Sequence, residues 1–502
     1  MIVDEEMSAD SRAAESAKPT PSLRRHIFSS GYTVALRLTV IVALKFVGVL
    51  IISRILGPAN YAAYAAAFGV YMFVLAVGQA GISVYLTRRT GAPTSLHIGA
   101  ATTFLLAESM AIVLLLELLA VPLGAYANIP GFSEVLRIIM LALPIQAFSM
   151  PAQALIERRL DLKGVAVVEL STLAGYYACA LPLALLGVGP AALAYALVFQ
   201  YLLAAPITYA IAGVRPRFAW DARFVAQMAR FAVGFSAANF VLQLRSLVNP
   251  FIVGPALGAY SVGVIAMTIG ILETLTQVRS MLWRITIATL THFRSDGQKL
   301  RRIIGEGMEI QLLAIGALLL GFGWFGGLIV PAVLGVRWLP IFHVYPYIAL
   351  SYLTMSTFNM HTVTLTLLNR NWLLAAFQGV NALALAAAAS LFVRIFGLEG
   401  YGYAEVAALP SYWLLHYILA RFRVAPNYHP TVIWWLAAAV GLFWRQLGLL
   451  AIAAPFAALL VPPSPTRIKA MALNLFRPAS RPQPTNKRER IVCKTAALRS
   501  DL

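Results

Sequence analysis

The chain has 502 residues, of which 60% are hydrophobic and only 12% are charged, and its mean hydropathy is +0.77. A soluble domain carries roughly 25% charged residues, so this chain has too little polar surface to cover a water-soluble fold. Cytosolic enzymes, disordered proteins and disulfide-rich secreted scaffolds are excluded. The formal net charge of +19 is typical of the Lys and Arg in cytoplasmic loops of membrane proteins, and we expect no nucleic-acid partner.

Apolar stretches of about 20 residues, the length that crosses a bilayer, follow one another along the chain. They predict an all-α polytopic membrane protein with about 12–14 transmembrane helices. The predicted spans lie at 31–53, 61–83, 98–121, 135–156, 164–186, 190–213, 229–253, 257–280, 308–331, 341–367, 371–396 and 400–420. A further apolar region at 431–461 is interrupted by Arg445 and is either two short spans or a re-entrant hairpin.

The spans group into two bundles of six. The predicted organisation is a cytoplasmic arm at 1–28, a first bundle at 29–213, a cytoplasmic linker at 214–228, a second bundle at 229–421, an extra hydrophobic hairpin or two short spans at 430–462, and a basic disordered tail at 463–502. With the N-terminus in the cytoplasm, most of the 39 Lys and Arg fall in cytoplasmic segments, a bias that sets orientation. Both termini are therefore predicted to be cytoplasmic.

An internal repeat relates the two bundles. Gly57-Pro58 follows the first span, and Gly254-Pro255 lies between the seventh and eighth spans. Because an even number of spans separates them, the halves share one topology and relate through an axis along the membrane normal. We expect the two pairs to be equivalent hinges, with passive turns as the alternative.

Three motifs carry a resemblance to a known family. Arg54-Ile-Leu-Gly-Pro-Ala-Asn-Tyr61 resembles the R-x-L-G-P-x-x-Y/F-G turn of bacterial polysaccharide-biosynthesis flippases, although Ala follows Tyr61 where the family has Gly. These flippases belong to the multidrug/oligosaccharidyl-lipid/polysaccharide exporter superfamily. The block Gln153–Lys163 resembles the family's loop between spans four and five, and Leu334–Trp338 resembles its f-G-x-x-W element after span nine. The motifs are turns, so they identify the family better than the substrate.

The resemblance implies a flippase that carries an undecaprenyl-pyrophosphate-linked oligosaccharide to the periplasmic leaflet for O-antigen, capsule or exopolysaccharide synthesis. It implies a multi-pass protein of the bacterial inner membrane. Its partners would be the lipid-linked oligosaccharide, the bilayer, and a polysaccharide polymerase or other assembly protein. An ion-coupled multidrug or metabolite antiporter is the alternative. A glycan polymerase or ligase is a weaker one because the outer loops are short, so we expect no enzyme.

In proteins that resemble this family, spans one, two, seven and eight line the central cleft. Multiple Arg and Lys donors can hold a pyrophosphate by charge-assisted hydrogen bonds. The predicted cationic cavity consists of Arg37, Lys45, Asn239, Gln243, Arg245, Glu273, Gln277, Arg279 and Arg284. The alternatives are a polar seam between packed helices for span seven and ordinary cytoplasmic-side charge for the end of span eight.

Two carboxylates, Glu108 and Glu169, lie well inside their predicted spans. Carboxylates in such positions often relay protons or bind sodium, so both are candidates for H⁺ or Na⁺ coupling. The alternative is that they neutralise Arg or Lys on neighbouring helices, and the same two interpretations apply to Glu117, Glu306, Glu309 and Glu405. Neither a metal-ligand spacing nor a Walker A sequence is present, so no cofactor is expected.

Overall fold

A computed structural model describes residues 21–78, 80–89, 91, 93–277, 297–368 and 370–460. Side chains are described in these ranges except at 21–40, 42–43, 77–78, 80 and 234–238. Every secondary-structure element in the described ranges is a helix, which confirms the predicted all-α fold.

The main helices are α1 (Pro21–Gly78), α2 (Ala80–Arg88), α3 (Ser95–Ala127), α4 (Phe132–Met140), α5 (Ala142–Arg158), α6 (Leu162–Leu185), α7 (Ala191–Ala212), α8 (Ala222–Gln243), α9 (Gly254–Leu275), α10 (Gly297–Val333), α11 (Ile341–Thr357), α12 (Asn359–Leu367), α13 (Asn371–Phe396), α14 (Leu398–Ala407), α15 (Tyr412–Arg421), α16 (His429–Leu442), α17 (Trp444–Leu447) and α18 (Ala453–Leu460). Helix α8 continues into a 3₁₀ turn, Leu244–Leu247, and a π-helical turn, Asn249–Val253.

Eight helical stretches among the described residues are long and apolar enough to cross a membrane. The sequence predicts twelve spans, and the difference has two causes. Spans one and two form a single bent stretch, Leu44–Ala76, and spans seven and eight form another, Asn239–Leu275. Spans ten and twelve are each broken into two shorter helices, α11 with α12 and α14 with α15. Where the structure describes them, the predicted spans therefore fall on helix apart from single turns inside or at the ends of some of them.

Leucine-glycine pairs make the sharp bends between helices. Gly57 (φ 70°, ψ 170°), Gly258 (φ 76°, ψ −177°), Gly335 (φ 95°, ψ 162°) and Gly448 (φ 94°, ψ 171°) all adopt a backbone conformation that is essentially restricted to glycine. Each directly follows a leucine. At Gly57 and Gly258 the helix continues on both sides of this single residue, which is why two spans can read as one continuous helix.

The sharp bend that the sequence predicts at Gly254-Pro255 lies elsewhere. Gly254 has a helical φ of −53°, and the bend lies four residues later, at Gly258. Pro255 stands at the start of α9, directly after the π-helical turn. The internal repeat therefore aligns Gly57 with Gly258, and a proline follows only the first of them.

The motif block Gln153–Lys163 ties three helix ends together. Arg158 donates to three backbone carbonyls in 86–91, at the end of α2, over 2.7–3.1 Å. Arg159 donates to the carbonyl of Ala212, at the end of α7, over 2.8 Å. Asp161 Oδ1 accepts the N–H three residues further on and caps the start of α6. The two arginines bond the free carbonyls at helix C-termini, and the aspartate bonds a free N–H at a helix N-terminus. This motif therefore holds helix ends in place.

The described residues up to Tyr428 form one compact unit, and those from His429 form a second. The second unit contains two short apolar helices, His429–Leu442 and Leu449–Leu460, which pack on each other. Each is shorter than the roughly 20 residues that a span requires. Their length favours the hairpin over two complete crossings.

Candidate functional site

A cavity of about 600 Å³ lies in the second half of the first unit, and we call it the polar cavity because charged groups and amides stand among the apolar side chains of its wall. Helices α9, α11, α12, α13, α14 and α15 surround it, together with the end of α8 and the 3₁₀ turn. Its volume falls in the range of small-molecule binding sites. The 3₁₀ and π-helical turns that follow α8 interrupt span seven beside it, and interruptions of this kind often mark functional hinges.

An ion pair joins the helices on one side of this cavity. The Arg245 guanidinium, in the 3₁₀ turn, donates to both carboxylate oxygens of Glu405 over 2.9 and 2.8 Å. The Glu405 side chain is 1% exposed and that of Arg245 20% exposed. Arg245 also donates to Asn381 Oδ1 over 2.5 Å, and Ser351 Oγ donates to Glu405 over 2.7 Å. This network fixes the guanidinium between α11, α13 and α14.

The described walls do not form the cationic cavity that the sequence predicts. The charged side chains that line them are Arg245, Glu273 and Glu405, one positive against two negative. Arg279 and Arg284, which were expected to add positive charge, lie outside the described residues. Helical periodicity assigns a residue to a face but does not say which helix meets that face, so the sequence could not identify Glu405 as the partner of Arg245.

The polar stripe of span seven serves two roles. Asn239 and Gln243 line a smaller cavity of about 300 Å³, otherwise walled mainly by apolar side chains such as Met72 and Met150. Gln243 also lines the polar cavity, as do Glu273 from α9 and Gln277 from the turn that follows α9. Ser246 Oγ lies 2.9 Å from the carbonyl oxygen of Gly69 and forms a seam with α1. The stripe is thus cavity wall at some positions and helix packing at others.

The remaining predicted residues lie elsewhere. Lys45 is exposed on α1, and its carbonyl accepts a hydrogen bond from Tyr177 over 2.9 Å. The side chain of Arg37 lies outside the described part. Glu108 is half-buried in α3, with Oε2 unpartnered among the described residues, and Glu169 is half-buried in α6. None of the three described side chains lines either cavity, and their roles stay predictions.

Two of the three sequence motifs meet across the two halves. We call the residues 53–61, Gly263 and 332–338 the inter-half contact. Arg54 donates to the carbonyls of Ala332 and Val333 over 2.7 and 3.2 Å, at the end of α10. The indole N–H of Trp338, a fully buried side chain, donates to the Ser53 carbonyl over 3.2 Å. The Tyr61 ring meets the Trp338 indole edge to face, with centroids 5.9 Å apart.

Backbone meets backbone in the same contact. A Cβ atom at Gly263 would lie 2.0 Å from the carbonyl oxygen of Pro58, so α9 can approach α1 this closely only because Gly263 has no side chain. Pro58 follows the bend at Gly57 and starts the second arm of α1. The Arg54–Tyr61 motif therefore places a helix end against the second half.

Sequence reasoning missed several residues of the polar cavity. Gln378 and Asn381, on α13, and Asn359, on α12, contribute amides to its wall. Gln378 and Asn381 are three residues apart and share one face of an otherwise apolar helix. Asn239 and Gln243 were selected because they are polar side chains at helical spacing in an apolar span. The same criterion would have found Gln378 and Asn381.

Comparison with known proteins gives a family match. The profile of the family described as polysaccharide biosynthesis protein matches residues 51–343, more than half of the chain. The succinoglycan biosynthesis transport protein ExoT of Rhizobium meliloti (strain 1021) is 31% identical over 202 residues. That alignment covers 39% of this chain and 40% of ExoT, so it spans well under half of the curated relative.

Solved structures share the fold. The lipid II flippase MurJ, in an inward closed conformation, aligns with a TM-score of 0.62 over 88% of this chain and 100% of MurJ, at 11% identity. An inward-facing multidrug resistance MATE family transporter of the MOP superfamily aligns with a TM-score of 0.55 over 78% of this chain and 98% of that one, at 14% identity. At these identities the likeness concerns the fold alone, and it confirms the predicted two-repeat helical architecture.

Proposed function

The chain belongs to the polysaccharide biosynthesis protein family, and on that premise we propose that it is a flippase for an undecaprenyl-pyrophosphate-linked oligosaccharide. It carries the glycan-bearing head group from the cytoplasmic to the periplasmic leaflet of the bacterial inner membrane. The product supplies synthesis of a polysaccharide such as O-antigen, capsule or exopolysaccharide. A polysaccharide polymerase or another assembly protein is the partner that receives it.

The observation that carries this proposal is the polar cavity enclosed by apolar helices. A glycan cannot cross the hydrocarbon core unaided because each hydroxyl left without a hydrogen bond there costs several kcal/mol. Amides, hydroxyls and an ion pair line the cavity and offer replacement hydrogen bonds within the membrane-spanning part of the chain. The shared fold with a lipid II flippase supports the same reading.

The inter-half contact gives the proposal a direction. The distribution of Lys and Arg favours cytoplasmic termini, which places the bends at Gly57 and Gly258 on the periplasmic side. The contact is then a closed periplasmic gate, and the glycan enters from the cytoplasm. Release requires Arg54 and Trp338 to leave their backbone partners while the halves rock and the lipid tail stays in the bilayer.

We propose Glu108 as the site through which a proton or sodium gradient drives the cycle. It lies within α3, and one of its carboxylate oxygens has no hydrogen-bond partner among the described residues. A carboxylate so placed gains most from a bound cation. Replacing Glu108 with Gln should abolish the effect of an imposed gradient while basal, gradient-free movement persists.

The deciding experiment uses the purified full-length chain in liposomes containing the lipid-linked oligosaccharide fraction of the source cells. A lectin added outside the vesicles reports how much glycan is accessible. We expect protein-dependent equilibration of the glycan between the leaflets, absent from protein-free vesicles. Accumulation of an organic cation in place of glycan movement would favour the antiporter, and lengthening of the glycan would favour the polymerase.

A further inference from the structure

We propose that the polar cavity binds uncharged sugar residues of the carried glycan through side-chain amides, and that it excludes the pyrophosphate. The inference rests on the proposed flippase function and deepens it by assigning one part of the substrate to one site. Asn359, Gln243 and Gln378 are the recognising side chains, and Arg245 is a structural counter-ion rather than a phosphate ligand.

The amides of the cavity are available to a ligand. Asn359 Nδ2 is buried and has no hydrogen-bond partner among the described residues, although the residue lines the cavity. Within the same described part, the side-chain amides of Gln243 and Gln378 also form no hydrogen bond with protein. An amide presents a donor and an acceptor side by side, which matches a hydroxyl that must both donate and accept. Three such groups on three helices suit a polyhydroxylated ligand.

Aromatic side chains stand beside these amides. Tyr352, Phe377 and Tyr401 line the cavity, and the Phe377 ring lies 5.1 Å from that of Tyr412, another lining residue. A sugar ring has apolar C–H faces as well as polar edges, so a site for it combines flat apolar rings with oriented polar groups. The wall offers both within about 600 Å³.

The charge of the described wall argues against a phosphate in the same place. The only cation there, Arg245, has both terminal guanidinium nitrogens engaged, by Glu405 and Asn381. A pyrophosphate would have to displace a carboxylate that is 1% exposed, which would leave that carboxylate buried without its partner. An uncharged ligand does not meet this cost.

The test measures binding of two separate probes to the full-length chain in lipid nanodiscs. The first is the free glycan released by mild acid from the lipid-linked fraction of the source cells, and the second is inorganic pyrophosphate. Saturation-transfer NMR detects the weak binding expected of a free sugar. Asn359→Leu and Gln378→Met remove an amide at similar volume, and Ser390→Ala is the matched control on α13, because that exposed hydroxyl bonds only its own helix.

We expect each amide variant to weaken binding of the free glycan at least tenfold, with no change in Ser390→Ala and no displacement of the glycan by pyrophosphate. Thermal unfolding of each variant checks that it is folded. Should an amide variant fail to fold, the pyrophosphate competition on the unaltered chain still decides. Displacement by pyrophosphate, or folded amide variants that bind like the control, would overturn the inference. Either result leaves the liposome assay unaffected, whereas absence of lipid-linked glycan movement there removes the flippase proposal itself.

Discussion

The inter-half contact and the polar cavity hold the second half of the molecule by different means. In the contact, side chains bond backbone carbonyls, as Arg54 and Trp338 do, and Gly263 lets two backbones touch. In the cavity, side chains bond side chains, as Arg245, Glu405 and Asn381 do. A backbone carbonyl is present whatever residue carries it, so such a contact persists when the side chains on the accepting helix change. Contacts of this kind therefore suit a structural feature that a whole family shares. A side-chain network can change with the substrate.

This difference matches where the recognisable motifs lie. Arg54–Tyr61 and Leu334–Trp338 both belong to the contact, and none of the motifs contributes to the wall of the polar cavity. The motifs therefore predict a transport cycle and say nothing of the cargo. The following experiments test this division, from the largest expected effect to the smallest.

The buried ion pair should be the most sensitive element of the cavity. Replacing Glu405 with Gln leaves the Arg245 charge buried without its partner, and we expect a loss of about 3–5 kcal/mol of stability. Thermal unfolding in detergent micelles measures it. The double variant Arg245→Met with Glu405→Met removes both charges and should recover most of that loss, because an apolar pair leaves no charge uncompensated.

A second ion pair supplies the control for this experiment. Arg302 and Glu306 are also 2.8 Å apart, but their side chains are 81% and 50% exposed. Since exposed pairs contribute little, Glu306→Gln should unfold at the same temperature as the unaltered chain. Equal destabilisation by Glu405→Gln and Glu306→Gln would show that the cavity network is not what holds span seven in place.

The inter-half contact should open when a single methyl group is added at Gly263. The new Cβ would lie 2.0 Å from the Pro58 carbonyl oxygen, so one backbone must move away from the other. Gly270→Ala, in the same helix, is the control, because a Cβ there would have no atom of the described residues of other elements within 4 Å. In a background without Cys179 and Cys493, Ser53→Cys reports opening through its rate of reaction with a water-soluble thiol reagent.

We expect Gly263→Ala to raise the labelling rate by about tenfold or more, a shift of roughly 1.4 kcal/mol between closed and open states. Gly270→Ala should label at the rate of the unaltered contact. Identical rates in both variants would mean that the contact yields locally and does not behave as a gate.

Much of the fold was predictable because hydrophobic length and turn chemistry are local properties. Span positions follow from runs of apolar residues, and the bends follow from glycine. The Gly-Pro dipeptide at 254–255, however, predicts the second bend four residues too early. The site was less predictable. The sequence marks Arg245 as an ionisable group inside a span, but its partner Glu405 lies 160 positions further along the chain. Only packing brings Glu405 and Asn381 to it, and helical periodicity does not identify such partners.

The corrected position of the second bend makes a prediction about stability. Gly57→Ala and Gly258→Ala each force a side chain into a conformation reserved for glycine, at a cost of about 1–3 kcal/mol. Pro255→Ala only replaces a residue in the first turn of α9 and should change stability by under about 0.5 kcal/mol. Thermal unfolding ranks the three. A larger effect at Pro255 than at Gly258 would restore the Gly254-Pro255 register of the repeat.

The smallest effect is expected at the third motif, which touches neither the contact nor the cavity. Arg159→Ala removes a charged donor from the last carbonyls of α7, and a cation at a helix C-terminus contributes about 0.3–1 kcal/mol. Arg215→Ala, an exposed loop position, removes the same charge and is the control. We expect Arg159→Ala to lower the unfolding temperature slightly relative to Arg215→Ala, and both to move lipid-linked glycan at the rate of the unaltered chain. Loss of glycan movement in a stable Arg159→Ala variant would mean that this motif takes part in substrate transport. The proposed division, in which the motifs hold the fold and the polar cavity recognises the cargo, would then be wrong.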